Sequence, residues 1–329
     1  MSLLAVNYHY VGMPKFKYQG VNGLDLEDFL VHVRFLKSNF KLIGLSDLGH
    51  LEINNDNYCI ITFDDGLLCH YDVIFKLMKK ENFPAAFFIN TMPLEIGKAI
   101  PTHKMHIIKA KISNTSIKKE LKVFMKLKNL VFPSVDKDLI KSSYKYDDYE
   151  SACLKYIINY FLAENYRNEF INILFKNLFA DETSFVKEWY INEKQIKEMN
   201  EFLPCIGSHG HFHVPFGKLS STEVIDDLKI SKRILEELLG DSINFFSYPL
   251  GNKHAVKEIH AELVNRAGYD FAFTMEREQN ITYQNKHLLA RIDCNDLPVV
   301  GKDPMFELKN DKFLRQNGSL SKRKRYFKE

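Results

Sequence analysis

The stretch that decides the fold of this 329-residue chain is Ile60-Ile61-Thr62-Phe63-Asp64-Asp65-Gly66. Apolar residues lead into two adjacent carboxylates, and a glycine follows. This pattern predicts a buried strand that delivers acidic groups to the mouth of a pocket. Two adjacent negative charges are costly unless a positive charge lies close to them, and a divalent metal ion is the simplest source of that charge. The stretch therefore predicts that further metal ligands lie elsewhere in the chain.

Predicted strands and helices alternate on both sides of this stretch. The strands are predicted at 3–11, 42–45, 58–63, 84–90, 204–208, 244–248, 269–274 and 288–292. The helices between them are predicted at 26–39, 71–81, 192–202, 221–239 and 255–267. A strand–helix–strand rhythm at this pitch indicates a parallel α/β sheet.

The rhythm breaks over residues 93–189, where helical patterns dominate and strand patterns are almost absent. We therefore predict one α/β domain formed by 1–92 and 190–300, with a helical insertion at 93–189. Residues 301–329 form a basic C-terminal tail that includes Lys322–Lys328. Chain termini are commonly solvated and frayed. The alternative is weak contact with anionic lipid or with a lipid-linked substrate.

Composition excludes several classes of protein. A net charge of +3 is too small to argue for a nucleic-acid partner. No segment approaches the roughly 20 apolar residues of a transmembrane helix, and the N-terminus lacks the pattern of a signal peptide. The five cysteines are scattered without a C-x-x-C pair. We therefore expect a cytoplasmic protein with reduced thiols.

The side chains with functional potential follow the predicted strands. They are His9, Asp64 and Asp65, His209 and His213, Tyr248, and Arg291. In parallel α/β architectures the active site forms at the carboxyl edge of the strands. The shared position of these residues therefore predicts a single site.

His209-x-x-x-His213 supplies the histidines for a metal site. One helical turn would bring the two imidazoles to the same face, where both can bind one metal. With one aspartate they make a two-histidine, one-carboxylate set. On a helical turn His211 would point away from the site, whereas in a loop it could replace one of the other two.

Several motifs together resemble a known family. In chain order they are T-F-D-D-G at 62–66, G-S-H-x-x-x-H at 207–213 and F-x-Y-P-x-G at 246–251, with Tyr8-His9-Tyr10, Leu239-Gly240 and Gly268-Tyr269 in agreement. This set resembles the polysaccharide deacetylases of carbohydrate esterase family four, the NodB-like domain. The resemblance covers roughly 1–92 and 190–295 and leaves out the helical block.

The resemblance implies a deformed (β/α) barrel of roughly seven parallel strands, and metal-dependent removal of an acyl group from a sugar. Matched residue by residue, it implies that Asp65, His209 and His213 bind the metal and that Asp64 is the catalytic base. It also implies that the backbone amide of Tyr248 helps to bind the oxyanion.

Two positions depart from the family pattern. Ser247 stands where typical members have the arginine that orients the catalytic aspartate, and no Leu-x-His follows Arg291. Some branches of the family carry the general-acid histidine on the first strand in a Tyr-His pair, which His9 matches. Arg291 could replace the missing arginine beside Asp64.

We therefore expect a metal-dependent carbohydrate N-deacetylase in surface-polysaccharide or lipopolysaccharide biosynthesis. Its substrate is an N-acylated sugar, with nucleotide-linked and lipid-linked forms as alternatives. Zinc suits the ligand set, and iron, cobalt or nickel are alternatives. The rival hypotheses are a deformylase or other amide hydrolase of the same fold, and an inactive carbohydrate-binding relative.

Overall fold

The computed structural model describes residues 2–12, 21, 23–51, 56–134, 136–138, 140, 147–280 and 285–299, and the backbone of 306–309 and 312–315. The chain divides into two compact units. The first comprises Met1–Met13, Gly23–Lys98 and Val186–Glu329, and the second comprises Pro14–Asn22 and Ala99–Phe185. The basic segment Lys322–Lys328 lies outside the described residues.

The first unit contains a parallel sheet. Its strands are β1 (Ser2–Tyr8), β2 (Lys41–Leu42), β3 (Asn57–Asp64), β4 (Ala86–Ile89), β5 (Ile206–Ser208), β6 (Phe245–Ser247), β7 (Phe271–Phe273) and β8 (Ile292–Asp293). Seven of them follow the order β7-β6-β5-β4-β3-β1-β8, and β2 pairs with β3 beside that path. A separate antiparallel hairpin joins β9 (Phe306–Lys309) to β10 (Lys312–Arg315).

The α-helices whose bounds the structure describes are, in chain order, α1 (Leu26–Asn39), α2 (Lys76–Glu81), α3 (Met92–Ile96), α4 (Pro101–Lys111), α5 (Asn114–Leu127), α6 (Tyr149–Tyr156), α7 (Glu164–Leu178), α8 (Glu182–Trp189), α9 (Glu193–Phe202), α10 (Ser221–Leu239) and α11 (Glu258–Arg266). A π-helical turn, His70–Phe75, leads into α2. None of the described helices is long and apolar enough to cross a bilayer.

The segment that includes Leu289 and β8 links the two ends of the sheet. On one side the Thr274 amide donates to the Leu289 carbonyl at 2.7 Å, and the Leu289 amide donates to Ala272 at 2.9 Å. On the other side Val6 of β1 pairs with Ile292. The curled parallel sheet with helices confirms the predicted deformed α/β barrel, and Arg291 lies on the segment that joins its edges.

Aromatic rings fill the core around β3, the strand that ends in Asp64. Phe63 stacks on Tyr8 and on Phe87, with ring centroids 5.2 Å apart in each pair. Phe29 of α1 meets Phe63 at 5.8 Å. All four side chains are fully buried. This packing holds the end of β3, and with it the two aspartates, against its neighbouring strands.

The regular elements among the described residues of the second unit are helices, joined by turns. Its helix α4 packs against α7, and Phe124 of α5 meets Phe170 of α7 at 5.3 Å. The buried Lys104 ammonium lies 2.6 Å from the Glu182 carboxylate. The apolar faces that gave the helical pattern in the sequence are therefore used for packing within this unit.

Strand lengths differ from the sequence-based expectation at several ends. β1 ends at Tyr8 and not at residue 11, and Val11 forms an isolated bridge with Leu24. Of the predicted strand 288–292 only Ile292 lies in a strand, β8, which continues to Asp293. Such ends depend on which neighbour offers hydrogen bonds, and local sequence does not report that.

We predict that Phe63→Ala lowers the free energy of unfolding by about 3–5 kcal/mol, because it leaves a cavity between three aromatic rings. Urea unfolding followed by circular dichroism measures this. Ile259→Ala is the control, since Ile259 is 46% exposed and its truncation should change stability by only about 0.5 kcal/mol. Equal losses in both variants would contradict the assignment of Phe63 to the core.

Candidate active site

The predicted metal ligands lie together at the carboxyl edge of the sheet. One carboxylate oxygen of Asp65, Oδ1, is 3.3 Å from His209 Nε2 and 3.2 Å from His213 Nε2. The candidate ligand atoms of the three residues all lie within 4.8 Å of one another, and all three residues are buried. One carboxylate and two imidazole nitrogens at this spacing can surround a single cation.

A backbone hydrogen bond orients His209 for this purpose. Its Nδ1 lies 2.8 Å from the Ser247 carbonyl oxygen. A carbonyl only accepts, so Nδ1 carries the proton and Nε2 presents its lone pair toward Asp65. Metal-binding histidines are commonly held in this way by a carbonyl on the other ring nitrogen. The donor set therefore fits a divalent cation.

The charges of the site also favour a cation. Burial alone would lower the pKa of His209, but the carboxylates of Asp64 and Asp65 outweigh burial and raise that pKa. Two carboxylates buried side by side therefore create a negative potential that attracts positive charge.

The predicted helical turn at 209–213 is wrong, because the segment is a loop. Gly210 and His213 have φ values of 72° and 56°, both left-handed, and this reversal brings the two histidines together. A Cβ atom on Gly210 would lie 2.5 Å from Asp227 Oδ1. Only glycine therefore fits at the second position of the loop.

Buried polar residues hold this loop in place. Asp227 of α10 accepts hydrogen bonds from the His211 and Phe212 amides at 3.1 and 2.8 Å. The side-chain amide nitrogen of Asn90 donates to the His209 and Gly210 carbonyls at 3.3 and 3.1 Å. Neither residue was predicted from the sequence, although a polar residue at the end of an apolar strand, as at Asn90, is a usable signal.

His211 lies outside the cluster of metal-ligand candidates. Its Nδ1 is 2.9 Å from the Thr91 hydroxyl, and its Nε2 is 3.5 Å from the Glu95 carboxylate. Although the segment is a loop, this ring contacts Thr91 and Glu95, and the cluster of candidate ligand atoms does not include it.

Arg291 and Asp64 form a bidentate ion pair. Arg291 Nη1 donates to Asp64 Oδ1 at 2.9 Å, and Nη2 donates to Oδ2 at 2.7 Å. Burial tends to raise the pKa of Asp64, but the Arg291 guanidinium, together with His209, lowers it below its ordinary value. Asp64 is therefore a buried carboxylate that stays ionised, with a fixed orientation.

Ser247, which occupies the position of the expected arginine, takes part in this pair. Its hydroxyl donates to Asp64 Oδ2 at 3.1 Å and accepts from Arg291 Nη2 at 2.8 Å. The guanidinium thus reaches Asp64 from the segment before β8, and a small residue at 247 leaves room for it.

Arg291 also donates hydrogen bonds to residues other than Asp64 and Ser247. Its Nη1 donates to Asn7 Oδ1 and Thr62 Oγ1, each at 3.0 Å, and its Nε donates to the Thr274 carbonyl at 3.0 Å. Arg291 is completely buried. Asn7 and Thr62 were not predicted as site residues from the sequence, and their signal is a polar side chain within a buried strand.

His9 lies at the open side of the cluster. Its Nε2 is 3.7 Å from Asp65 Oδ2, and its side chain is 44% exposed. A ring that borders the ligand atoms and also reaches solvent can exchange protons with water and deliver them to a bound molecule.

The backbone amide of Tyr248, to which the resemblance assigns the oxyanion, has another hydrogen-bond partner. Its backbone amide donates to the Phe273 carbonyl at 3.0 Å, in the ladder between β6 and β7. Its hydroxyl donates to the His287 carbonyl at 3.0 Å, and the side chain is buried. In this structure the amide is engaged within the sheet, and the oxyanion role that the resemblance implies for it stays a prediction.

We predict that Arg291→Met lowers the free energy of unfolding by about 3–5 kcal/mol at neutral pH, because it leaves the Asp64 charge buried and unpaired. The paired Asp64 has a lowered pKa. Its stabilisation is therefore present above the carboxyl pKa of the unfolded chain, about 3.9, and is lost as the pH falls through the lower folded-state pKa. The deficit of the variant should shrink on acidification.

Urea unfolding at neutral and acidic pH measures this deficit. Arg277→Met is the control: Arg277 lies 3.6 Å from Asp296 but is 22% exposed, and its loss should cost at most about 1 kcal/mol. A deficit for Arg291→Met that does not change with pH would contradict the ion-pair account.

Comparison with known proteins gives one family and a set of similar structures. Residues 155–272 match the family model described as polysaccharide deacetylase. This range includes the second and third motifs, and the T-F-D-D-G motif lies before it. No curated protein sequence matches the chain.

Three solved structures illustrate the likeness in fold. The deacetylase PplD of Streptococcus pyogenes, solved with acetate, has a TM-score of 0.56 at 14% identity over 92% of this chain and 95% of its own. IcaB of Ammonifex degensii has a TM-score of 0.52 at 16% identity, covering 88% and 91%. A de-N-acetylase of Aggregatibacter actinomycetemcomitans has a TM-score of 0.51 at 13% identity, covering 89% and 96%.

At these identities the structures establish the fold, and the family match concerns the sequence itself. The resemblance recognised from the motifs is therefore confirmed: residues 155–272 match the polysaccharide deacetylase model, and the fold is similar to that of solved polysaccharide deacetylases.

Proposed function

We propose that this protein is a metal-dependent hydrolase that removes an N-acyl group, acetyl foremost, from a sugar. The observation that carries the proposal is the juxtaposition of two features. A carboxylate kept ionised by Arg291 stands directly beside a buried cluster of one carboxylate and two imidazoles. The family match supports sugar de-N-acetylation as the reaction class.

Asp65, His209 and His213 are the residues that would hold the cation. A bound divalent cation would supply Lewis acidity, which polarises the acyl carbonyl and lowers the pKa of water. Zinc is the cation we propose, with iron, cobalt or nickel as alternatives that the same donors accept.

The remaining residues handle protons. Asp64 accepts a proton from the water whose oxygen bonds to the acyl carbon. Its low pKa and fixed orientation keep it ionised and aimed at the site. His9 gives a proton to the sugar nitrogen as the carbon–nitrogen bond breaks. The products are then a carboxylate, acetate for an acetyl group, and an amino sugar.

The position of Arg291 helps to distinguish an active enzyme from an inactive carbohydrate-binding relative. The hypothesis of an inactive relative rests on the absence of an arginine at position 247. Arg291, from another part of the chain, forms a bidentate ion pair with Asp64 in place of that arginine. The observations therefore favour an enzyme, and a comparison of N-acetyl and N-formyl sugars as substrates separates a deacetylase from a deformylase.

We further propose a cytoplasmic role in surface-polysaccharide or lipopolysaccharide biosynthesis, on a nucleotide-linked or lipid-linked sugar. All five cysteines are free thiols, as is usual in a reducing compartment. Burial raises the pKa of the Cys69 thiol to about 12, so it stays protonated and unreactive.

We predict that His209→Ala and His213→Ala lose the bound metal together with the activity, because each removes one of three ligands. Elemental analysis of the purified variants measures metal content. His211→Gln is the matched control on the same loop, and it should keep its metal because His211 faces Thr91 and Glu95. Metal retained by His213→Ala but lost by His211→Gln would overturn the ligand assignment.

We predict that Asp64→Asn and His9→Ala keep the metal and lower kcat on an N-acetyl sugar by about 100- to 10,000-fold, the usual share of a general base or acid. Acetate release from an N-acetylglucosamine oligosaccharide measures the rate. His50→Ala changes an exposed histidine elsewhere and should leave kcat unchanged. An unaltered rate in His9→Ala would remove it as the proton donor.

A further inference from the structure

His70 is a buried histidine whose two ring nitrogens reach two different parts of the site. It begins the π-helical turn that follows the aspartates, and it is fully buried. Its ring lies against Phe63 and Phe87, at 5.2 and 5.9 Å between centroids. Nothing in the proposed proton transfers uses it.

The hydrogen bonds of His70 define its tautomer. Nδ1 accepts from the Leu67 amide at 3.3 Å, so the ring proton is on Nε2. Nε2 lies 2.8 Å from the His9 carbonyl oxygen and donates to it. Burial lowers the pKa of His70 to about 4, and the neutral ring keeps this donor and acceptor pattern at neutral pH.

These two bonds join the two chain segments that carry the reacting groups. Leu67 follows the turn Asp64-Asp65-Gly66, in which Asp65 has a left-handed φ of 84° and Gly66 one of 67°. His9 stands at the end of β1, 61 residues from His70 in sequence. Strained turns of this kind persist only where their surroundings hold them, and π-helical turns are frequent at functional sites.

His260 shows what the local part of this arrangement does by itself. Its Nδ1 accepts from the Lys257 amide at 3.0 Å, three residues back, as His70 does from Leu67. Burial likewise lowers its pKa to about 4. The local bond therefore caps a helical turn in both places, and the bond from Nε2 to the His9 backbone is the additional feature of His70.

We propose that His70 is a positioning residue, which ties the His9 backbone to the turn that carries Asp64 and Asp65. The tie keeps the imidazole of His9 at its 3.7 Å separation from Asp65, and so aims the proton donor at the leaving nitrogen. This inference rests on the proposed function, because it assigns a geometry to the proton donation by His9.

Two substitutions at His70 separate the local bond from the long-range one. Asn presents an acceptor where Nδ1 lies but cannot reach the His9 carbonyl, whereas the longer amide of Gln can donate to it. His70→Asn should therefore lower kcat on an N-acetylglucosamine oligosaccharide by about 10- to 100-fold, the scale of a misplaced catalytic group. His70→Gln should recover most of that rate, and His260→Asn should leave it unchanged.

An activated ester distinguishes positioning from a general loss of structure. The leaving group of para-nitrophenyl acetate needs no proton, so its hydrolysis does not depend on His9. His70→Asn and His9→Ala should both keep the ester rate within about threefold while they lose the amide rate. Equal losses on both substrates, or loss of bound metal from His70→Asn, would overturn the proposal and indicate a structural role.

Hydrogen exchange tests the hydrogen bond between His70 and the His9 backbone without any turnover. The amides of residues 9–12 should exchange faster in His70→Asn than in wild type, and at the wild-type rate in His70→Gln and His260→Asn. Unchanged exchange at 9–12 in His70→Asn overturns the proposal. If wild type and His9→Ala hydrolyse the amide equally, the proposed role of His9 fails, and the exchange result still decides whether His70 holds the His9 segment.

Discussion

The buried pair between Arg291 and Asp64 is the interaction on which this site depends. A carboxylate placed beside a second carboxylate at the end of an apolar strand would otherwise take up a proton. The guanidinium lies at 2.7 and 2.9 Å from its two oxygens and is itself held by Asn7, Thr62 and the Thr274 carbonyl. The residues of this network are buried, where an unpaired polar group would be costly.

The same pair connects the chemistry to the closure of the barrel. Arg291 lies on the segment that bonds to β7 on one side and pairs with β1 on the other. The charge that keeps Asp64 ionised is therefore delivered only when the two ends of the sheet are joined. The ionisation of Asp64 and the completion of the sheet thus have one physical cause.

Backbone conformations that are rare for L-residues shape the rest of the site. Asp65 and His213 both have left-handed φ values, 84° and 56°, which cost about 1–3 kcal/mol each outside glycine. Asp227 and His70 accept hydrogen bonds from backbone amides at these turns, and the Asn90 side chain donates to a backbone carbonyl there. The ligand side chains are thereby oriented by their supports, as a preorganised site requires.

The sequence by itself determined the periodic elements, the motifs and their family, because apolar spacing and turn residues are local signals. It also indicated Asp64, Asp65, His209 and His213 as neighbours, since parallel strands end at one edge. Only the tertiary structure decided that 209–213 is a loop, that Arg291 reaches Asp64, and that the Tyr248 amide is engaged by Phe273. These contacts join residues far apart in the chain, and no local pattern records which partner a buried donor will find.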